Sequence, residues 1–117
     1  MGGKPMPDAT TEFFTELEQR GHEPLLEKAT GSLRFDLVDN GRRSRWLVEI
    51  DRGDIAVSHR NAKADCVLRS DKALFDRIAS GEENAVAAVL RGAITIDGNR
   101  QLLVLFQRLL PAPKTSA

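Results

Sequence analysis

The sequence predicts a two-layer α+β domain, in which a mixed sheet of about five strands carries four or five helices on one face. Hydrophobic residues recur with helical spacing near both ends of the chain and alternate with polar residues in between. One face of the alternating segments is apolar and the other is charged, so the helices can cover only one side of the sheet. The length of 117 residues suits a single domain with one hydrophobic core.

The first helix is predicted to run from Asp8 or Thr10 to Arg20. Both starting residues are good N-caps, because their side-chain oxygens accept hydrogen bonds from free backbone amides. Gly21 is a favourable residue just beyond the C-terminal end. A shorter helical turn is expected within residues 22–29, where a proline stands in the first turn.

Four strands are expected next, at residues 33–37, 45–50, 54–59 and 65–70, because apolar and polar side chains alternate there. The sequence Asp39-Asn40-Gly41 separates the first two strands. Asn-Gly accepts the positive φ angles of a tight turn, so these two strands form a predicted hairpin.

Two helices are expected between the fourth and the fifth strand. Asp71 caps the first, which ends near Gly81, and Asn84 caps the second, which ends before Gly92. The fifth strand is predicted over residues 92–97. The connection of roughly twenty residues before it is long enough for this strand to pair in parallel.

The last helix is predicted from its N-cap, Asn99, to Leu110, and Pro111 ends it. Seven of the nine residues at 102–110 are apolar, whereas a helix that rests on a sheet needs only one apolar stripe. Residues 85–90 show the same excess. Three interpretations remain open: a central helix covered on all sides, a pocket for an apolar ligand, or a face exposed to a partner subunit or a membrane surface.

The two faces of the predicted sheet have opposite character. The apolar face collects Leu33, Phe35, Leu37, Trp46, Val48, Ile50, Ile55, Val57, Cys66, Leu68, Ile94 and Ile96. The opposite face, which is expected to meet solvent, collects Arg34, Asp36, Arg45, Glu49, Ser58, Asp65, Arg69 and Thr95. Its main apolar residues are Leu47, Ala56 and Val67.

Composition and motifs argue against catalysis and against a nucleic-acid partner. Seventeen Lys and Arg residues balance seventeen Asp and Glu residues, whereas a nucleic-acid-binding domain carries a basic excess. The sequence has no phosphate-binding glycine loop, nucleophile elbow or zinc-binding histidine pair, so we expect neither an enzyme nor a cofactor. Cys66 is expected to be a small buried side chain, and His22-Glu23 a surface pair at a helix start.

The domain is expected to span residues 8–111. The segments 1–7 and 112–117 are expected to be flexible tails, since they are rich in Gly, Pro and small polar residues. No apolar run is long enough to span a membrane, and no targeting signal is recognisable, so a cytoplasmic protein is expected.

An ordered set of short motifs runs along the chain. It comprises residues 31–35 (GSLRF) with the hairpins that follow, residues 81–85 (GEENA), Gly92 before the last strand, Gly98 after it, and a leucine-rich final helix. This set resembles the sterol carrier protein two family, and the resemblance covers about residues 8–111.

The resemblance implies a non-enzymatic carrier that binds a sterol, fatty acid, fatty acyl-CoA or phospholipid in a tunnel between sheet and helices. The partner is then an apolar small molecule or lipid, with transient membrane contact and a homodimer as further expectations. A charged head group would lie at the mouth, near Arg91, Arg100 or Arg108. The residues carried over to the tunnel lining are Phe14, Leu17, Phe35, Trp46, Val48, Ile50, Phe75, Ile78, Val86, Val89, Leu103, Phe106 and Leu110.

Two alternatives to a lipid carrier remain. The surplus apolar surface would instead form the interface of a non-catalytic dimerisation or protein-interaction module. A small enzyme would have to use His22 or His59, neither of which has a Cys or His neighbour at ligand spacing.

Overall fold

The computed structural model describes residues 8–110, and the expected tails at 1–7 and 112–117 lie outside this range. The elements are α1 (Ala9–Arg20), a short 3-10 turn (Pro24–Leu26), β1 (Thr30–Asp39), β2 (Arg42–Asp51), β3 (Asp54–Ser58), β4 (Cys66–Asp71), α2 (Lys72–Ala79), α3 (Ala85–Leu90), β5 (Thr95–Gly98) and α4 (Arg100–Gln107). This arrangement confirms the predicted α+β class. No helix in the described range is long and apolar enough to cross a membrane.

The five strands form one mixed sheet in the order β3-β2-β1-β4-β5. The parallel pair is β1 with β4, where Phe35 lies opposite Leu68. The long connection before the fifth strand does not lead to the parallel pairing that its length allows, since Leu68 pairs with Ile96 in an antiparallel ladder. The physical reason is that α2 and α3 together bring the chain back to the end of the sheet that it left, whereas a parallel strand must start at the opposite end.

Several predicted boundaries move by a few residues. The fifth strand begins at Thr95, because the stretch before it is a turn that contains Gly92 at φ 79°. The helix α4 ends at Gln107 and not at Leu110. Beyond Gln107 the backbone N–H of Leu110 donates to the carbonyl oxygen of Gln107 at 3.0 Å, a tighter bond between residues three apart. Leu110 also precedes Pro111 in the sequence, and α-helical backbone angles are disfavoured for a residue before a proline.

The predicted hairpin is present between β1 and β2. Asn40 and Gly41 have φ angles of 50° and 80°, as a tight two-residue turn requires. Its ladder sets Phe35 opposite Trp46 and Leu33 opposite Val48, so these side chains share the apolar face of the sheet.

All three long helices pack on this apolar face. The ring of Phe35 contacts Phe14 of α1, Phe75 of α2 and Phe106 of α4, with ring centroids 5.1, 5.6 and 5.1 Å apart. Each of these four rings is at most 1% exposed. The aromatic cluster therefore forms the centre of the core and joins three helices to the middle strand.

The opposite face of the sheet is less open to solvent than alternation predicts. Leu47 on this face is only 1% exposed. The segment 59–65 joins β3 to β4 and crosses this face, where the carbonyl oxygen of Ala62 accepts a 3.1 Å hydrogen bond from Arg34. Arg34 in turn donates to both carboxylate oxygens of Asp36, at 2.9 and 3.0 Å. A connecting segment and a partly buried ion pair thus cover Leu47.

Candidate ligand-binding cavity

An almost wholly apolar cavity lies between the sheet and the last three helices. Its lining comes from β1, β4, α2, α3 and α4 and from the residues beside β5 and α4, namely Phe35, Leu68, Phe75, Ile78, Ala85, Val86, Val89, Ile94, Leu103, Phe106, Gln107 and Leu110. The deep end is formed by Phe35, Phe75 and Phe106, which are at most 1% exposed, whereas Val86 at the rim is 43% exposed. The cavity therefore has a buried end and a mouth between α3 and α4.

The open volume of the cavity is small. It measures about 40 Å³, whereas pockets for drug-sized ligands have volumes of roughly 300–1,000 Å³. At about 24 cal/mol per Å³, an empty space of this size costs only about 1 kcal/mol of stability. The lining side chains have thus closed most of the space, and a long ligand must move some of them to enter.

The short helix α3 is held mainly at its ends. The side chain of Asn84 accepts a 3.1 Å hydrogen bond from the backbone N–H of Ala87 and so caps the helix start. Gly81 and Gly92, at φ 83° and 79°, flank the helix in a backbone conformation that favours glycine. Ala88 is the only residue of α3 that is fully buried. Few buried contacts therefore oppose an outward movement of this helix.

The cavity lining contains one polar side chain and no charged one. Gln107 is the polar member of the lining. None of the three arginines expected near a head group lines the cavity, and the guanidinium of Arg91 donates to the Glu83 carboxylate at 3.2 Å. The cavity lining therefore contains no arginine, and an arginine beside a head group stays a prediction.

The structure gathers eight of the thirteen predicted lining residues around this cavity: Phe35, Phe75, Ile78, Val86, Val89, Leu103, Phe106 and Leu110. The other five lie elsewhere, because α1 and not α3 or α4 covers β2 and β3. Phe14 and Trp46 line a cleft between α1 and the end of β3, and Leu17 lines another cleft beside α1. Ile50 lines a groove at the start of β1, and Val48 is fully buried.

Four cavity residues were absent from the predicted lining: Leu68, Ala85, Ile94 and Gln107. Strand alternation had already placed Leu68 and Ile94 on the apolar face of the sheet. Gln107 follows Leu103 by four residues and therefore lies on the same face of the helix. A selection of apolar residues leaves it out, because its side chain is polar.

The titratable groups that the sequence singled out lie outside the cavity. Burial raises the pKa of the Cys66 thiol, which is 1% exposed. His22 pairs with Asp54 at 2.8 Å, and the sequence neighbour Glu23 instead accepts a hydrogen bond from Arg20 at 2.8 Å. Among residues 8–110, no group of three His, Cys, Asp or Glu side chains is placed to hold a metal ion.

Solved structures of other proteins share this fold. Sterol carrier protein domain 2 of Helicoverpa armigera is 24% identical in sequence and superposes with a TM-score of 0.72. The comparison covers 93% of this chain and 91% of that chain. The apo form of sterol carrier protein 2 from Yarrowia lipolytica is 19% identical, with a TM-score of 0.72 and coverages of 93% and 94%. Palmitated SCP2L2 from Aedes aegypti is 15% identical, with a TM-score of 0.68 and coverages of 89% and 97%.

The family comparison covers most of the sequence. No curated protein sequence matches the chain. The sequence pattern of the SCP-2 sterol transfer family, in contrast, matches residues 14–111. This range includes every element that lines the cavity. The chain therefore belongs to the SCP-2 sterol transfer family.

Proposed function

We propose that this protein is an intracellular, cytoplasmic carrier that binds the hydrocarbon part of a lipid in the cavity beneath α3 and α4. The observation that carries the proposal is the lining itself, which is apolar except for Gln107 and grades from a buried aromatic end to an exposed rim. Membership of a sterol transfer family supports a lipid as the ligand. The palmitated state of the Aedes aegypti relative supports a fatty chain as one ligand class.

Binding requires the closed cavity to open. Each buried methylene contributes about 0.8 kcal/mol, so a long chain gains enough free energy to displace lining side chains and move α3 outward. A head group then lies at the mouth beside Gln107, whose amide both donates and accepts hydrogen bonds. The uncharged lining implies that affinity comes mainly from the chain and only weakly from the charge of the head.

Native mass spectrometry tests this proposal. The protein is delipidated in organic solvent, refolded and incubated with palmitate, and the mass of the complex is measured. Leu103→Asp places a carboxylate in the lining, and Val104→Asp places the same group one residue away at a side chain that is 59% exposed. We expect one palmitate per chain for the unmodified protein and Val104→Asp, and loss of binding for Leu103→Asp. Equal binding by both variants would refute the cavity as the site.

A second candidate function is a dimerisation or interaction module. The observation that favours it is the exposure of Leu90 and Val104, which are 82% and 59% accessible beside the cavity mouth. The same residues suit a transient contact with a membrane during lipid exchange. Sedimentation velocity of the delipidated protein separates the two functions: a monomer that takes up palmitate supports the carrier, and a stable dimer without lipid supports the module.

A further inference from the structure

The fully buried ring of Phe14 separates the apolar cavity from a second cleft. On one side it stacks on Phe75 with centroids 5.7 Å apart and planes inclined by 5°, and it meets Phe35 at 5.1 Å. Both of these rings line the deep end of the cavity. On the other side Phe14 stacks on Trp46 with centroids 4.5 Å apart. The wall between cavity and cleft is therefore built of aromatic rings, and Phe14 stands in its middle.

The cleft behind this wall offers the space that the cavity lacks. It lies between α1 and the end of β3 and has a volume of about 370 Å³. Trp46 and Phe14 line its inner side, and Thr15, Glu18 and His59 line its outer side. Removal of the Phe14 ring would give Phe35 and Phe75 room to move towards this space, which would lengthen the deep end of the cavity.

Polar contacts between α1 and α2 hold Phe14 in position. The backbone N–H and the hydroxyl of Thr10 both donate to one carboxylate oxygen of Asp76, at 3.1 and 2.6 Å. Lys72 bridges Asp8 and Asp76 at 2.7 and 3.0 Å. Thr10 is only 1% exposed. These contacts fix the start of α1 on α2, so the stack of Phe14 on Phe75 joins two helices that cannot easily separate.

We propose that Phe14 limits the length of the hydrocarbon chain that this protein accommodates. This inference rests on the proposed function, in which a chain enters at the mouth and its far end reaches Phe35 and Phe75. Phe14 backs these two rings and prevents them from moving towards the cleft. A chain longer than the opened cavity therefore leaves its additional methylenes outside the mouth, where they add no affinity.

The test compares affinities along a series of saturated fatty acids from octanoate to eicosanoate, measured by isothermal titration calorimetry. In the unmodified protein the affinity rises by about fourfold per methylene up to a limiting length and then stays constant. In Phe14→Ala we expect the rise to continue for at least one further pair of methylenes. Phe14→Leu, which disturbs the core less, shifts the limit in the same direction by a smaller amount. Leu26→Ala is the control, because Leu26 is equally buried but lines neither space.

Trp46 provides a second readout, since it is the only tryptophan and lies directly behind Phe14. A fatty acid brominated at its terminal carbon should quench Trp46 fluorescence strongly in Phe14→Ala and weakly in the unmodified protein. An unchanged limiting length and unchanged quenching in both Phe14 variants would overturn the role of Phe14 and leave the carrier function intact. Absence of any binding by the unmodified protein would overturn both.

Discussion

Two glycines with left-handed backbone angles differ in what surrounds them. Gly41, at φ 80°, has no atom within 4 Å of the position of an added Cβ. Gly98, at φ 103°, is the last residue of β5, and a Cβ there would overlap the backbone carbonyl of Asp65. This carbonyl also accepts a 2.7 Å hydrogen bond from the backbone N–H of Asn99. Gly98 thus allows the end of β5 to lie directly against the start of β4.

Alanine substitutions should separate these two requirements. We expect Gly41→Ala to lower the free energy of unfolding by about 1–2 kcal/mol, the cost of the left-handed conformation alone. Gly98→Ala should lower it by roughly 2–5 kcal/mol, because the methyl group also forces the backbone apart. Urea denaturation measures both values, and equal losses would contradict the close contact at Gly98.

His22 supplies a pH-dependent contribution to stability. Its hydrogen bond to Asp54, aided by the nearby Glu27, raises the pKa of His22 above the ordinary value of 6.5. A pKa that is raised in the folded state stabilises the fold fully below 6.5, and the contribution disappears as the pH rises through the folded-state pKa. His22 also joins the end of α1 to the start of β3.

We therefore expect His22→Gln to be less stable than the unmodified protein at about pH 6 and equally stable at about pH 9. The effect should be small and should weaken with added salt, because the side chain is 47% exposed. Urea denaturation at the two pH values checks this. A difference that is constant with pH would show that the ion pair does not contribute.

At the scale of elements, the segment 59–65 changes the character of the outer sheet face. Because β3 and β4 both run in the direction of β1, this segment must return along the sheet, and it does so over β2 and β1. It buries Leu47 on a face that alternation assigns to solvent. The strand pattern predicts which residues share a face, but a connecting segment without regular structure decides whether that face is covered.

Leu47→Ala should lower the free energy of unfolding by about 2–5 kcal/mol, as in an ordinary core position. Val67→Ala provides the matched control, because Val67 lies on the same face but is only half-buried. We expect less than half the loss for Val67→Ala. Neither substitution should change palmitate binding, since both side chains lie on the far side of the sheet from the cavity. Equal losses in thermal or chemical denaturation would argue against coverage of Leu47.

The same elements show how far the sequence predicts the fold. Helix caps at Asp8, Asn84 and Asn99 are short-range signals, and each accepts the hydrogen bond expected of an N-cap. The antiparallel hairpin at Asn40-Gly41 is equally local. The pairing of β1 with β4 is not local, because it depends on how all the intervening segments pack. Alternation and turn sequences therefore predict which residues share a face and which strands form a hairpin. They do not predict the order of the strands in the sheet.

At the scale of the whole molecule, the candidate site was harder to predict than the core. Val48 and Phe35 carry the same signal, since both are apolar residues on the inner face of the sheet. Only Phe35 reaches the cavity, because α2 and α4 cover β1 and β4. Which helix covers which strand decides whether an apolar side chain packs in the core or meets a ligand, and single-residue patterns do not contain this information.

In the proposed complex, a lipid chain lies between the sheet and α3–α4 with its end towards Phe35 and Phe75. Isotope-filtered NOE spectroscopy of the protein with isotope-labelled palmitate can locate the bound chain. We predict NOEs from the chain to the methyl groups of Ile78, Ile94 and Leu103, with the terminal methyl nearest to Phe75. Bound palmitate whose NOEs reach only surface residues such as Leu25, Val38 or Leu90 would contradict this position of the chain.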